Sequence, residues 1–197
     1  FRLDAYEKIG MGHLSRCMNL ASILNKKGVK IQFIFRYLDK RFKKLSGCNK
    51  YQVTYLPNNT LFKNIKNLDS EKIWPSNLQK ADALATRDLI KNKSIDWLIV
   101  DHYGLNLKWE KIIKNNVKKI MVIGDHLDRY HNCDLFLNQN FFDKKKLKIK
   151  RYIKDPITLI GPKYSLLDKS YLYLRQKMQI KKDKIKNILI SFGGSDN

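Results

Sequence analysis

Short apolar runs alternate with longer segments of helical period along most of this chain, and that alternation restricts the fold more than any other feature. The clearest run is Ile95-Asp96-Trp97-Leu98-Ile99-Val100, of the kind that a strand buried on both faces shows. A helical pattern over Asn77 to Lys91 precedes it, and another over Leu107 to Asn115 leads into a strand over Lys119 to Ile123. Upstream, Leu14, Cys17, Met18, Ala21 and Leu24 recur at helical spacing, and Gly28 after Lys26 and Lys27 reads as the stop. Val29 to Tyr37 and Tyr51 to Leu56 have the apolar and β-branched content of strands, the second ended by Pro57. The stretch before Asn77 carries no assignable pattern. Downstream, Asp134 to Leu137 and Ile157 to Ile160 read as short strands, Gly161-Pro162 breaks the second, and Ser165 to Lys177 reads as a helix. This order predicts an α/β fold, a Rossmann-like parallel sheet with helices on both faces, whose ligands bind outside the carboxyl ends of the strands. Polar residues gather at those ends: Asp101, His102, Tyr103, Asp125 and His126.

The segment Ile9-Gly10-Met11-Gly12-His13-Leu14-Ser15-Arg16-Cys17 opens the first helical pattern and reads as a site. Gly10 and Gly12 let the backbone turn sharply and approach a ligand, and the first amides of a helix lack intrahelical partners and favour anions. His13 then stands beside a phosphate or oxyanion pocket, with a side chain that suits proton transfer near neutrality. Taken alone, Gly-x-Gly-His is equally compatible with a plain tight turn. A second glycine-rich turn, Gly193-Gly194-Ser195-Asp196, follows a strand pattern over Asn187 to Phe192. Its amides could bind phosphate, with Ser195 as a further donor, and an ordinary turn is again the alternative.

Length and charge bound the remaining possibilities. A chain of 197 residues suffices for one substantial domain plus the beginning of another. The expected division is a catalytic domain over 1–178, then a basic linker within 179–197 and the first strand of a second domain. Phe1 in place of an initiator methionine, and an end at Asn197 straight after a glycine pair, lead us to expect a piece of a longer protein. The formal net charge of +22 would ordinarily raise a nucleic acid or an anionic membrane as partner. Lysine is, however, spread along the whole chain beside asparagine and isoleucine, as in an AT-rich coding sequence. The densest run, Lys144-Lys145-Lys146 with Lys148, Lys150, Arg151 and Lys154, reads as a solvated loop face. No nucleic-acid module accompanies the charge, and no apolar run approaches the ~18 residues of a membrane span, so neither partner is expected and the domain reads as soluble. Cys17, Cys48 and Cys133 are odd in number and irregular in spacing, which gives no disulfide framework and indicates a reducing, cytoplasmic location. Cys133 with His126 and His131 lacks the paired spacing of a zinc site, so no metal is expected.

Phe1-Arg2-Leu3-Asp4-Ala5, the Gly10 to Cys17 segment, Asp101-His102-Tyr103-Gly104, His131-Asn132-Cys133-Asp134, Gly161-Pro162-Lys163-Tyr164-Ser165-Leu166-Leu167 and Ser191-Phe192-Gly193-Gly194-Ser195-Asp196 form an ordered series. The series resembles the UDP-2,4-diacetamido-2,4,6-trideoxy-β-L-altropyranose hydrolases of pseudaminic acid biosynthesis, relatives of the GT-B glycosyltransferases. The resemblance implies two Rossmann-like domains with a UDP-sugar between them, of which this chain is the N-terminal one, working as a monomer without cofactor or metal. It also implies that water displaces UDP at the anomeric carbon with inversion. By the same resemblance His13 is the catalytic residue, Tyr103 contributes to the site, and Gly193 and Gly194 lie near the diphosphate, while the uridine is held mostly by the second domain. Gly10, Gly12 and Asp101 belong to the same expected binding site. Asp4 and Arg16 have two readings, as substrate contacts or as a local ion pair that buttresses the turn; His102 and His131 read as structural. Two departures are visible: Tyr6 stands where a small polar residue is usual and could narrow the cleft, and Gly124-Asp125 replaces an acidic pair. A GT-B glycosyltransferase and a non-catalytic basic binding domain remain as alternatives.

Overall fold

The protein is described by a computed structural model, which covers residues 1–65, 69–142, 155–178 and 188–190. Seven strands, β1 (Arg2–Leu3), β2 (Gln32–Phe35), β3 (Gln52–Tyr55), β4 (Trp97–Asp101), β5 (Lys119–Ile123), β6 (Leu135–Asn138) and β7 (Ile157–Ile160), form one sheet in the order β3-β2-β1-β4-β5-β6-β7. Every neighbouring pair is parallel. The helices are α1 (Gly12–Asn25), α2 (Lys40–Ser46), α3 (Ser76–Ile90), α4 (Leu107–Ile113) and α5 (Lys169–Lys177). The Rossmann-like α/β fold expected from the alternation is therefore present. Strand order reverses between β1 and β4, and a sheet of this kind leaves its ligand crevice at the carboxyl ends of the strands around that point.

Both faces of the central strands are covered, which explains their continuous apolar runs. Successive side chains of a strand point to opposite faces, so each run divides by parity. Ile34, Leu98, Val100, Ile120, Val122 and Phe136 join one core with Leu78, Ala83 and Ile90 of α3 and Trp109 and Ile113 of α4. Leu3, Phe33, Phe35, Ile99, Met121, Ile123 and Leu137 join the other with Leu14, Cys17, Met18 and Ala21 of α1 and Phe42 of α2. Trp109, Phe33, Phe35 and Phe136 are completely buried, and burying side chains of this kind contributes roughly 1.5–3 kcal/mol each.

Several features differ from those that the sequence predicts. Arg2–Leu3 is a central strand although it is too short to carry a period, and α2 lies between the two expected strands β2 and β3. Helix α5 begins at Lys169, later than Ser165, because Asp168 caps it by accepting from the Ser170 N–H at 2.8 Å. Tyr6 does not line a cleft: its ring is 3% exposed and packs edge-on against Tyr37, with centroids 5.9 Å apart. The linker, Asn187, Ser191 and Phe192 of the expected last strand, and the turn with Gly193, Gly194 and Ser195 lie outside the described residues, while Ile188, Leu189 and Ile190 are exposed and belong to no strand. So does the basic run from Lys144 to Lys154.

Candidate active site

The glycine segment carries the chain from the end of β1 into α1. Gly10 has φ +76°, a left-handed conformation that disfavours any side chain, and its N–H donates to the Tyr6 carbonyl at 2.8 Å. A side chain at Gly12, the first residue of α1, would meet nothing within 4 Å, so the turn opens onto free space there. Met11 provides no side-chain cap and the first turn holds no acidic residue. The amides at this end keep their capacity for an anion, and the helix dipole favours one.

Parity then decides what His13 meets. Asp101 ends β4 in register with Leu3, so its side chain shares the α1 face, where His13 and Arg16 descend from α1. Asp101 is completely buried and accepts from His13 Nδ1, from Arg16 Nε at 2.6 Å and from Arg16 Nη2 at 2.6 Å. The Cys17 thiol also lies 3.5 Å from it. Burial alone would raise the Asp101 carboxyl, but His13 and Arg16 facing it hold it well below the usual carboxylate range. A carboxylate only accepts hydrogen bonds, so His13 Nδ1 carries a proton. The nearby Arg16 Nη2, 3.2 Å from that nitrogen, is then a neighbour and not its donor. Nε2 is left as the basic nitrogen of the neutral ring.

Arg16 reaches further. Its Nη1 donates to both oxygens of Asp125 at 2.9 Å, and Asp125 accepts the Tyr103 hydroxyl at 2.5 Å. The Tyr103 ring stands edge-on to the His13 ring with centroids 4.4 Å apart. Partial burial and the bond to Asp125 push the Tyr103 phenol well above its ordinary range, so it stays protonated. Arg129 fixes Tyr103 from behind, donating to its carbonyl at 2.6 Å and to the Glu71 carbonyl. Residues from α1, the end of β4 and the end of β5 are thus brought together: His13, Arg16, Asp101, Tyr103 and Asp125.

Asp4 is not part of this group. Completely buried on the opposite face, it accepts from Arg2 Nη1 at 2.7 Å, from the Arg36 N–H at 2.7 Å and from the Tyr37 N–H at 3.2 Å, and pairs with His102 Nε2 at 3.2 Å. The expected Asp4–Arg16 ion pair is therefore corrected: Asp4 pairs with Arg2, and Arg16 with Asp101 and Asp125, because the two side chains leave opposite faces of the sheet. His102 accepts the Gly104 N–H at Nδ1 (2.9 Å), and His131 is bonded to Glu110 at 2.6 Å, so both are engaged in the interior. Among the described residues, no group of three or more His, Cys, Asp or Glu is placed to hold a metal ion.

Asp125, which the sequence marks only as one of the polar residues at a strand end, and Arg129, which it does not mark, both join the candidate site. The signal for Asp125 was its place directly after β5, the strand beside β4, at an odd number of residues from the α3-face residue Val122. Gly124, the departure noted beside it, also has a packing reason: a Cβ there would come within 2.9 Å of the Phe136 ring. A separate cavity of about 830 Å³ lies at the amino ends of the strands, lined by residues such as Leu24, Ile31, Ile95 and Trp97. It lies at the opposite end of the strands from His13, Asp101 and Asp125, and we place the chemistry with those groups.

No family model matches the chain. It is 27% identical over 199 residues to an uncharacterized protein of Methanocaldococcus jannaschii, across 98% of this chain and 36% of that protein. It is 29% identical over 147 residues to the UDP-2,4-diacetamido-2,4,6-trideoxy-β-L-altropyranose hydrolase of Campylobacter jejuni, across 73% of this chain and 42% of that enzyme. The chain spans less than half the length of either relative.

Proposed function

We propose that this chain is the base-bearing part of a nucleotide-sugar hydrolase that releases UDP from a UDP-linked 2,4-diacetamido-2,4,6-trideoxy sugar. The observation that carries the reading is the His13–Asp101 pair, which fixes the tautomer and leaves Nε2 as the basic nitrogen beside an uncapped helix end. The likeness to the Campylobacter jejuni hydrolase supports the substrate class. In the step, a lone pair of water forms a bond to the anomeric carbon while the bond from that carbon to the UDP oxygen breaks and its electron pair leaves with UDP. Nε2 of His13 takes the water's proton, as a general base does. Buried Asp101 holds the ring in place and faces the positive charge that arrives with that proton. The first amides of α1 favour the departing diphosphate. Gly193, Gly194 and Ser195 remain proposed phosphate contacts from the second domain.

UDP release by the longer protein that contains this chain, in water with no acceptor present, tests the reading. Release without an acceptor is expected. Release that starts only when an acceptor alcohol is added would make the protein a glycosyltransferase, and salt-sensitive binding to nucleic acid without UDP release would make it a binding domain.

A further inference from the structure

Tyr103 has one hydroxyl proton, and the structure commits it. The hydroxyl donates to Asp125 Oδ2 at 2.5 Å, and among the described residues the other groups bonded to Asp125 are also donors: Arg16 Nη1 at 2.9 Å and Asn140 Nδ2 at 3.2 Å. A carboxylate surrounded in this way can only accept, so the phenol cannot turn its proton toward a ligand without giving up a short bond. What Tyr103 offers a ligand is therefore a lone pair. His13 is in the same condition, because its Nδ1 proton is held by Asp101 and Nε2 is the nitrogen left to accept. The two rings stand edge-on with centroids 4.4 Å apart, and two different carboxylates take their protons. Arg16 braces both of those carboxylates at once.

We infer that Asp125 is a positioning residue that locks Tyr103 as an acceptor, so that the attacking water is held by both of its protons, one on His13 Nε2 and one on the Tyr103 oxygen. A water held in this way has only its oxygen lone pairs left to present to the anomeric carbon. Orientation of a reactant is a recognised source of rate, and it acts on turnover more than on binding. The inference rests on the hydrolytic reading of His13.

The test uses the longer protein with Tyr103→Phe, Asp125→Ala, their combination, and Asp125→Asn, which keeps an oxygen able to accept the phenol proton. Two readouts are needed. The first requires no substrate: a downfield phenol proton in the NMR spectrum, present in the parent protein and absent from Tyr103→Phe. It is expected to vanish in Asp125→Ala as well, and its persistence there overturns the lock. The second is steady-state UDP release. Tyr103→Phe and Asp125→Ala are each expected to lower kcat by about 10- to 100-fold, the size of one lost hydrogen bond to a charged or reacting partner, with KM unchanged. The double variant is expected to be no slower than either single one, and Asp125→Asn to recover part of the loss. Multiplying effects would mean that Asp125 acts through Arg16 and not through Tyr103. A raised KM with unchanged kcat would mean that Tyr103 holds the sugar. Either result overturns the proposal. If the parent protein releases no UDP, the hydrolytic reading fails, whereas the phenol signal still decides whether Asp125 locks Tyr103.

Discussion

Two arginine–aspartate clusters occupy the same end of the sheet on opposite faces, and they differ in what they leave open. On the α3 face, Asp82 of α3 accepts from Arg2 Nη2 at 2.8 Å, Arg36 Nε at 2.8 Å and Trp109 Nε1 at 2.9 Å, while Asp4 takes Arg2 and His102. Two guanidinium groups meet two carboxylates, and the fourth cation contact is to carbon, with the Arg36 guanidinium 3.7 Å from the Phe62 ring centroid. His102 is bonded at both ring nitrogens. On the α1 face one guanidinium, Arg16, meets two carboxylates, Asp101 and Asp125, and among the described residues His13 is bonded by Asp101 at only one nitrogen. The same residue types thus build a tie closed around His102 on one side, although Arg36 Nη2 stays buried without a hydrogen-bond partner among the described residues, and an acceptor-rich site on the other. Content does not separate them; the second ring nitrogen of the histidine does.

The sharpest separation comes from one substitution in each cluster. In the longer protein, His13→Ala is expected to lower the rate of UDP release by about 100- to 10,000-fold, the range of general base catalysis, with UDP affinity and thermal midpoint nearly unchanged. Equal turnover in that variant would remove His13 from the chemistry. The reverse pattern is expected of Asp82→Ala, which leaves two buried guanidinium groups short of a partner. Breaking a buried pair from one side costs about 3–5 kcal/mol, which in a domain of this size lowers the thermal midpoint on the order of 10 °C. A midpoint within about 2 °C of the parent, by the same scale, would show that the closed cluster adds little.

A smaller effect is expected where a loop roofs the closed cluster. The Trp74 ring lies edge-on to His102 with centroids 4.5 Å apart, and the Trp74 backbone N–H donates to the Gly104 carbonyl at 2.9 Å. A Cβ on Gly104 would come within 2.4 Å of the indole, so Gly104→Ala must displace the ring. Overpacking of this kind costs about 1–3 kcal/mol, and the displacement should register as a shift in tryptophan emission. Unchanged emission and midpoint would mean that the roof yields freely.

These two faces explain what could be read from the sequence. The α/β fold follows from β4 and β5, whose runs are long enough to be recognised, and the glycine turn with His13 follows from local backbone chemistry. Asp101 and Tyr103 could be placed at a strand end. Which neighbours they would meet depended on parity across strands that are separated in sequence. Counting in twos from Leu3 and Ile99 puts Asp101 on the α1 face, and from Ile123 does the same for Asp125; counting from Val100 puts His102 on the other, with Asp4. Arg2 itself was illegible, because a two-residue strand has no period and a buried arginine looks like a surface one until Asp82, 80 residues away, is brought beside it.

The smallest effect concerns the acid side of stability. Burial holds His102 below its ordinary 6.5 even though Asp4 draws it upward, so the folded protein keeps it neutral where the unfolded chain would be protonated. Below pH 6.5 the unfolded state then binds the extra proton, and stability falls as the pH drops from 6.5 toward the folded value. The carboxyls of Asp4, Asp82 and Asp101 lie below their ordinary 3.8 in spite of burial, drawn down by the arginines and histidines that face them. Their contribution is complete above that range and is lost as the pH falls through it, so it stays constant in the window from pH 7 to pH 5. Unfolding free energies from denaturant titrations at several pH values in that window should decline with acid in the parent protein. In His102→Asn the decline should be shallower by at most about 1.4 kcal/mol per pH unit, the slope of one proton. The slope is the readout, whatever the variant does to stability at pH 7. Parallel slopes in the two proteins would mean that His102 carries its proton in the folded state, and the closed cluster would then hold one more cation than its bonding pattern requires.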